Sequence, residues 1–308
     1  MLDRRAFVSG LMLLAAGCKS QRGDIVVGSK NFTEQLILGE LVVQLLERSC
    51  QTNVDGRFYL AGTYICQQAI LAGRIDIYPE YTGTALAAVL KEKATGGSTE
   101  VYEEVKSQYR SRFDLDVMPP LGFDNSFAMV MRGDDARRMG LTKLSQLEPV
   151  AQQLKLGVGY EFLERRDGYA GLVKTYDLRF DEAPRVMDLG LLYRSLENRS
   201  VDIVAGSNTD GLIAALGLVV LEDDRHYFPP YDAVVIARPD AFQRCQASRS
   251  ALESISGRIT ADDMRRMNYQ VDGQKKDARE VAREFLNQRL ISTARAPYRS
   301  SLQTTPEN

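Results

Sequence analysis

Catalysis needs a nucleophile beside a base, carboxylates with displaced pKa values, or a cradle for a metal or cofactor. The chain has no G-x-S-x-G elbow, no phosphate loop and no G-x-G-x-x-G after a strand. Its one histidine, His226, lies in the acidic and aromatic stretch "EDDRHYFPPY", where a surface or hinge place suits it better than the role of a base. No cysteine spacing is a zinc pattern, and one histidine cannot make a His-rich metal site. Neither a cofactor nor covalent chemistry is expected. What the chain offers instead is aromatic rings and cations. Tyr81 follows Pro79-Glu80 and Tyr231 follows Pro229-Pro230, so both rings stem from turns of reduced backbone entropy. Phe127 opens an apolar run, and each ring face attracts a cation. Lys30 stands beside a helix start, where its charge and the free N–H groups both favour an anion. Arg165, in "EFLERRDG", presents a fork that fits a carboxylate. Each residue taken alone has an ordinary reading as a packed ring or a solvated charge. Their common place at strand ends is what marks a site.

The elements that must carry them alternate. A β-branched strand, Ile25 to Gly28, leads through Ser29–Asn31 into a helix with apolar positions at Leu36, Ile37, Leu41, Val42 and Leu45. Asn31 with Glu34 resembles a capping box. Phe58 to Gly62 reads as a second strand, Thr63 to Ala72 as a helix and Ile75 to Tyr78 as a third strand. The order recurs: strand Lys155 to Val158, helix Glu161 to Tyr176 broken near Gly168, strand near Arg179–Phe180, helix Leu189 to Asn198, strand Val201 to Ala205. Strands alternating with helices imply a parallel sheet in each half. The stretch "IDIYPEYTGTALAA" from Ile75 has a second version, "VDIVAGSNTDGLIAA" from Val201, with Tyr81 matched by Ser207. Both sit at the carboxyl end of a strand, where open α/β sheets place their ligands. Phe127 to Met131 and Tyr231 to Ala237 read as two strands crossing between the halves, and helices from about Asp262 to Leu290 return to the first half. This makes two lobes on a hinge: residues 24–125 with 233–291, and residues 126–232. The tail 292–308 has little to bury and is expected to be disordered.

With 44% hydrophobic and 26% charged residues, the chain can build two cores of about 100 to 150 residues each. A net charge of −2 gives no electrostatic reason to expect nucleic acid. The start, "MLDRRAFVSGLMLLAAGCKS", has two arginines, an apolar run and small residues before Cys18, the pattern of an export signal (residues 1–18). The apolar run is too short for the roughly 20 residues of a spanning helix. "LAAGC" resembles a lipoprotein processing box with Cys18 as the lipid-bearing mature N-terminus, and Arg4-Arg5-Ala6-Phe7 resembles a twin-arginine signal. Cys50, Cys66 and Cys245 then remain, an odd number that leaves at least one thiol unpaired. Cys50 and Cys66 pair with each other or are both buried thiols.

The stretches "VVGSKNFTEQ", "IDIYPEYTGTAL", "EFLERRDG", "NTDGLIAA" and "LVVLEDDRHYFPPY" resemble the substrate-binding proteins of osmoprotectant ABC importers, the glycine betaine, choline and carnitine binders of the OpuC and ProX type. The similarity runs from about Ile25 to Leu290. It implies the two-lobed periplasmic-binding-protein fold (type II), closing on its ligand, with an ABC permease and ATPase as partners outside the cytoplasm. In such relatives tyrosines box a trimethylammonium group while a lysine, an arginine and a threonine hold a carboxylate. By motif this implies Lys30, Tyr81, Thr84, Arg165 and Tyr231 here. Where relatives read "NNTYA" this chain has "DNSFA", keeping Asn125 and placing Phe127 for a tyrosine. Where they read "AYSTDG" it has "GSNTDG", placing Ser207 for another. Phenylalanine keeps the ring face, but serine removes a wall worth about 1 to 2 kcal/mol to a desolvated cation. A bulkier betaine, such as an ergothioneine-like compound, becomes an alternative ligand. A sensor that reports the ligand to a receptor is a further alternative, and an enzyme on this fold has no residues to support it.

Overall fold

A computed structural model of the chain describes residues 24–294, so the signal segment, Cys18 and the end of the tail lie outside the described residues. Ten strands make two sheets: β1 (Ile25–Gly28), β2 (Val54–Arg57), β3 (Ile77–Tyr81), β4 (Asp116–Val117) and β10 (Ala233–Ala237) form one; β5 (Phe127–Arg132), β6 (Leu156–Val158), β7 (Arg185–Val186), β8 (Ile203–Ser207) and β9 (Leu218–Leu221) form the other. Their orders, β2-β1-β3-β10-β4 and β7-β6-β8-β5-β9, correspond strand for strand. In each, three parallel strands meet a fourth that runs antiparallel. The two related stretches therefore hold equivalent places, with Tyr81 closing β3 and Ser207 closing β8.

Both faces of each sheet are covered, which is why the central strands read as unbroken apolar runs. Val27, Ile77 and Val235 pack with the first helix (Thr33–Ser49) and the C-terminal helices; Tyr78, Val234 and Ile236 pack on the opposite face with Val101, Val105 and Tyr109. In the second sheet Met129, Met131 and Ile203 face one core, and Ala128, Val130 and Val204 the other. The helices Ala261–Asp272 and Ala278–Ala294 pack into the core of the first sheet.

Several boundaries differ from the sequence reading. The first helix starts after Phe32, which makes no side-chain cap, so Asn31 and Glu34 form no capping box. The second strand is Val54–Arg57; Phe58–Gly62 is a loop in which Tyr59 and Ala61 take positive φ (63° and 112°), values a strand excludes. β3 runs through Pro79 to Tyr81 because it pairs antiparallel with β10 over that length; Pro79 is tolerated because the pairing to β1 has ended at Ile77. β7 lies at Arg185–Val186, where it pairs with Gly157 and Val158, and not at Arg179–Phe180. β5 and β10 do not cross between lobes. Each is a buried strand of one sheet, and the crossings are the segments before them, held side by side by the antiparallel bridge Asp124–Asp232. Cys50 pairs with Cys245, tying the end of the first helix to the end of the helix Pro239–Arg244, and Cys66 is a buried free thiol. The chain reverses enough for partners 195 residues apart to meet, which spacing alone does not reveal. The last helix extends to Ala294, past the expected start of the tail at 292.

Candidate functional site

The cleft between the sheets gathers the side chains singled out in the sequence. Tyr81 and Thr84 come from the first lobe, at the end of β3 and in the turn that follows it. There a short helical turn (Thr82–Thr84) passes into a π-helical segment (Ala85–Leu90). π-Helical turns gather at functional sites. Gly83 lets this turn approach: a Cβ there would stand 2.7 Å from Tyr231 Cδ1 and 2.5 Å from the Pro230 carbonyl oxygen. Phe127 and Ser207 come from the second lobe as direct cross-strand partners. Asn125 and Tyr231 lie on the two crossing segments, where the Asn125 N–H donates to the Tyr231 carbonyl at 3.0 Å.

Two groups form. Around Phe127 stand Phe162, Tyr231 and Phe228 at ring-centroid distances of 5.0, 5.6 and 5.7 Å. The Arg165 guanidinium lies over this wall, 4.7 Å from the Phe127 centroid and 5.7 Å from that of Tyr231. It donates to Thr84 Oγ1 across the cleft at 3.1 Å and forks onto Asp167, which also accepts from the Tyr231 hydroxyl at 2.5 Å. The second group centres on Tyr81. Lys30 Nζ sits 4.9 Å over its ring and pairs with buried Glu80. The Tyr81 hydroxyl donates to Glu34 at 2.6 Å, as do Asn125 Nδ2 at 2.6 Å, Thr209 Oγ1 at 2.6 Å and Asn268 Nδ2 at 3.0 Å. Ser207 Oγ in turn donates to Asn125 Oδ1. Burial pushes the Glu34 carboxyl above the usual range even against these four donors. Burial and the Glu34 carboxylate together push the Tyr81 phenol well up.

The lobes are drawn together at several points besides Arg165–Thr84. Thr209 reaches Glu34, Asn268 Nδ2 donates to the Thr209 carbonyl at 2.9 Å, and Arg166 Nη1 donates to the Lys91 carbonyl at 2.7 Å. His226 is exposed in a turn with φ 50° and touches none of this. Glu34, Glu80, Asp167, Thr209, Asn268, Phe162 and Phe228 complete the site beyond the residues expected. A signal for Glu34 was present: the first helix is apolar nearly all round from Ile37 to Leu46, so it is buried, and polar residues on it are buried too. Among the described residues no group of His, Cys, Asp and Glu could hold a metal, and no helix is long and apolar enough to cross a membrane.

Residues 23–288 match the family described as the substrate binding domain of ABC-type glycine betaine transport systems. The carnitine transport binding protein OpuCC of Listeria monocytogenes is 32% identical over 288 residues, covering 93% of each chain. A glycine-betaine-binding protein of Pseudomonas aeruginosa is 32% identical over 90% of this chain and 91% of that one. An ergothioneine transport permease and binding protein of Helicobacter pylori is 33% identical over 85% of this chain and 47% of its own length. Among solved structures, a glycine betaine/carnitine/choline ABC transporter protein superposes with a TM-score of 0.71 at 29% identity, covering 86% of this chain and 98% of that one. The match spans both sheets, and the chain belongs to the family of substrate-binding domains of ABC-type glycine betaine transport systems.

Proposed function

We propose that this chain captures a small quaternary ammonium compound outside the cytoplasm and delivers it to an ABC permease and its ATPase, performing no covalent chemistry. Lipid on Cys18 holds it at the membrane. Lobe 1 comprises residues 24–125 and 233–291, and lobe 2 residues 126–232. Tyr81, Phe127 and Tyr231 wall the ammonium group, and Lys30, Thr84 and Arg165 meet the ligand's polar end, with Asn125 and Ser207 bounding the chamber.

The observation that carries this reading is the position of Arg165, whose guanidinium already lies on the faces of Phe127 and Tyr231 inside the closed cleft. A wall that holds the chain's own cation, desolvated, is a wall that attracts a ligand's cation. Calorimetric titration with choline, glycine betaine, carnitine and ergothioneine tests it. Saturable binding of at least one is expected, weakened about tenfold or more in Tyr231→Ala; no heat from any of them overturns the reading. A second ligand size is favoured by Ser207, which stands opposite Phe127 in the ladder where a ring would narrow the chamber. An ergothioneine-like betaine fills that space.

A further inference from the structure

The charges of the cleft do not balance for a zwitterion. Lys30 is neutralised by Glu80, and Arg165 by Asp167, both pairs buried. Glu34 has no cation within ion-pair distance among the described residues, yet it is 3% exposed and receives four neutral donors. Four donors on two oxygens is the pattern of an ionised carboxylate, which only accepts. Its neighbours do not offset it: Tyr81 faces it from β3, and Asp210 adds negative potential from the turn after β8. Lys30, over the Tyr81 ring, is already engaged by Glu80. The other Glu80 oxygen, Oε2, is buried and accepts from no donor. A ligand hydroxyl satisfies an acceptor of this kind and a ligand carboxylate does not.

We propose that Glu34 is the specificity-determining anion of this cleft, balancing a ligand of net positive charge, so that the site ranks a trimethylammonium alcohol above the corresponding zwitterionic betaine. This rests on the quaternary ammonium reading above and narrows it. Tyr81, whose ring walls the chamber and whose hydroxyl bonds Glu34, sets the carboxylate behind the wall. At that remove its field acts on the ligand's whole charge: a monocation gains all of the attraction, while a betaine's own carboxylate cancels part of it.

The test is calorimetric titration of the full mature chain with choline and with glycine betaine, at mildly alkaline pH to keep Glu34 ionised. Wild type is expected to bind choline about tenfold or more tighter than glycine betaine. Glu34→Gln is expected to lose about tenfold for choline and no more than about threefold for glycine betaine. Glu34→Asp, which keeps the charge, is expected to keep the ranking even if both affinities fall. Tighter binding of glycine betaine by wild type overturns the proposal whatever the variants do. Equal losses for both ligands in Glu34→Gln also overturn it, since Glu34 then only positions Tyr81 and Asn125. Failure of every quaternary ammonium compound to bind wild type is a different result, which removes the functional reading itself.

Discussion

Ser207 and Asp210 lie three residues apart in the turn that closes β8, and each leads to an expectation of its own. Ser207→Tyr places a ring beside Phe127 and is expected to tighten a small trimethylammonium ligand by about 1 kcal/mol while excluding a bulky betaine; paired titrations with choline and ergothioneine check it, and unchanged affinities for both remove Ser207 from the chamber wall. Asp210 is pushed up to about 7, first by burial and then by Asp272 and Glu34. A carboxyl raised above its unfolded value lets the folded state bind more protons. Its favourable contribution is complete below the usual carboxylate range and is lost as pH rises through about 7. The melting temperature is therefore expected to fall between about pH 4 and pH 7 and to level off above, and Asp210→Asn to flatten that fall. Legibility at this scale was uneven. Tyr81, Phe127, Arg165 and Tyr231 declared themselves by residue type and by their proline-bounded or strand-end places. Glu34 was harder to read: the apolar helix signals its burial, but a Glu three residues after Asn31 looks like a cap, and its four donors from other segments meet only in the fold.

At the scale of elements, the loop between β2 and the helix Thr63–Leu71 is held in a conformation that its side chains resist. Ala61 has φ 112° and donates no turn chemistry of its own; its carbonyl accepts from the Asn31 N–H at 3.1 Å, beside Lys30. Ala61→Gly relieves the positive φ and is expected to raise unfolding stability by about 1 kcal/mol, the strain released less the entropy glycine adds. Urea denaturation reads this directly, and a loss of stability would mean the loop is not strained. Glycine there also loosens the backbone next to Lys30, so ligand affinity is expected to fall slightly. The same loop shows why the second strand was misplaced by the sequence reading. Phe58, Tyr59 and Leu60 have the composition of a strand, but composition carries no sign of φ. Long, buried strands such as β5 and β10 were legible as apolar runs. The two-residue strands β4 and β7 were not, since so short a stretch has no period to read.

Across the whole molecule, strand–helix alternation implied two α/β halves, whereas the order of strands within each sheet, with an antiparallel strand inserted in each, is seen only in the structure. The lobe crossings were displaced by a few residues because a buried strand and a crossing strand share one apolar pattern. The Cys50–Cys245 bridge encloses a loop that contains all of lobe 2. Closing so long a loop restrains the unfolded chain, so replacing both cysteines by Ala is expected to cost about 2 to 5 kcal/mol; thermal unfolding of the double variant against wild type measures it. A cost near zero would place the restraint elsewhere. The sheet order adds a consequence for how the chain is made. β10 lies between β3 and β4, yet it is the last strand among the described residues, so β4 has no neighbour until some hundred residues beyond it have emerged. The second sheet has all its strands in one continuous stretch and is complete earlier. During synthesis or export, the N-terminal strands β1 to β3 therefore wait with an open edge at β3, and the half that begins the chain is the last to be finished.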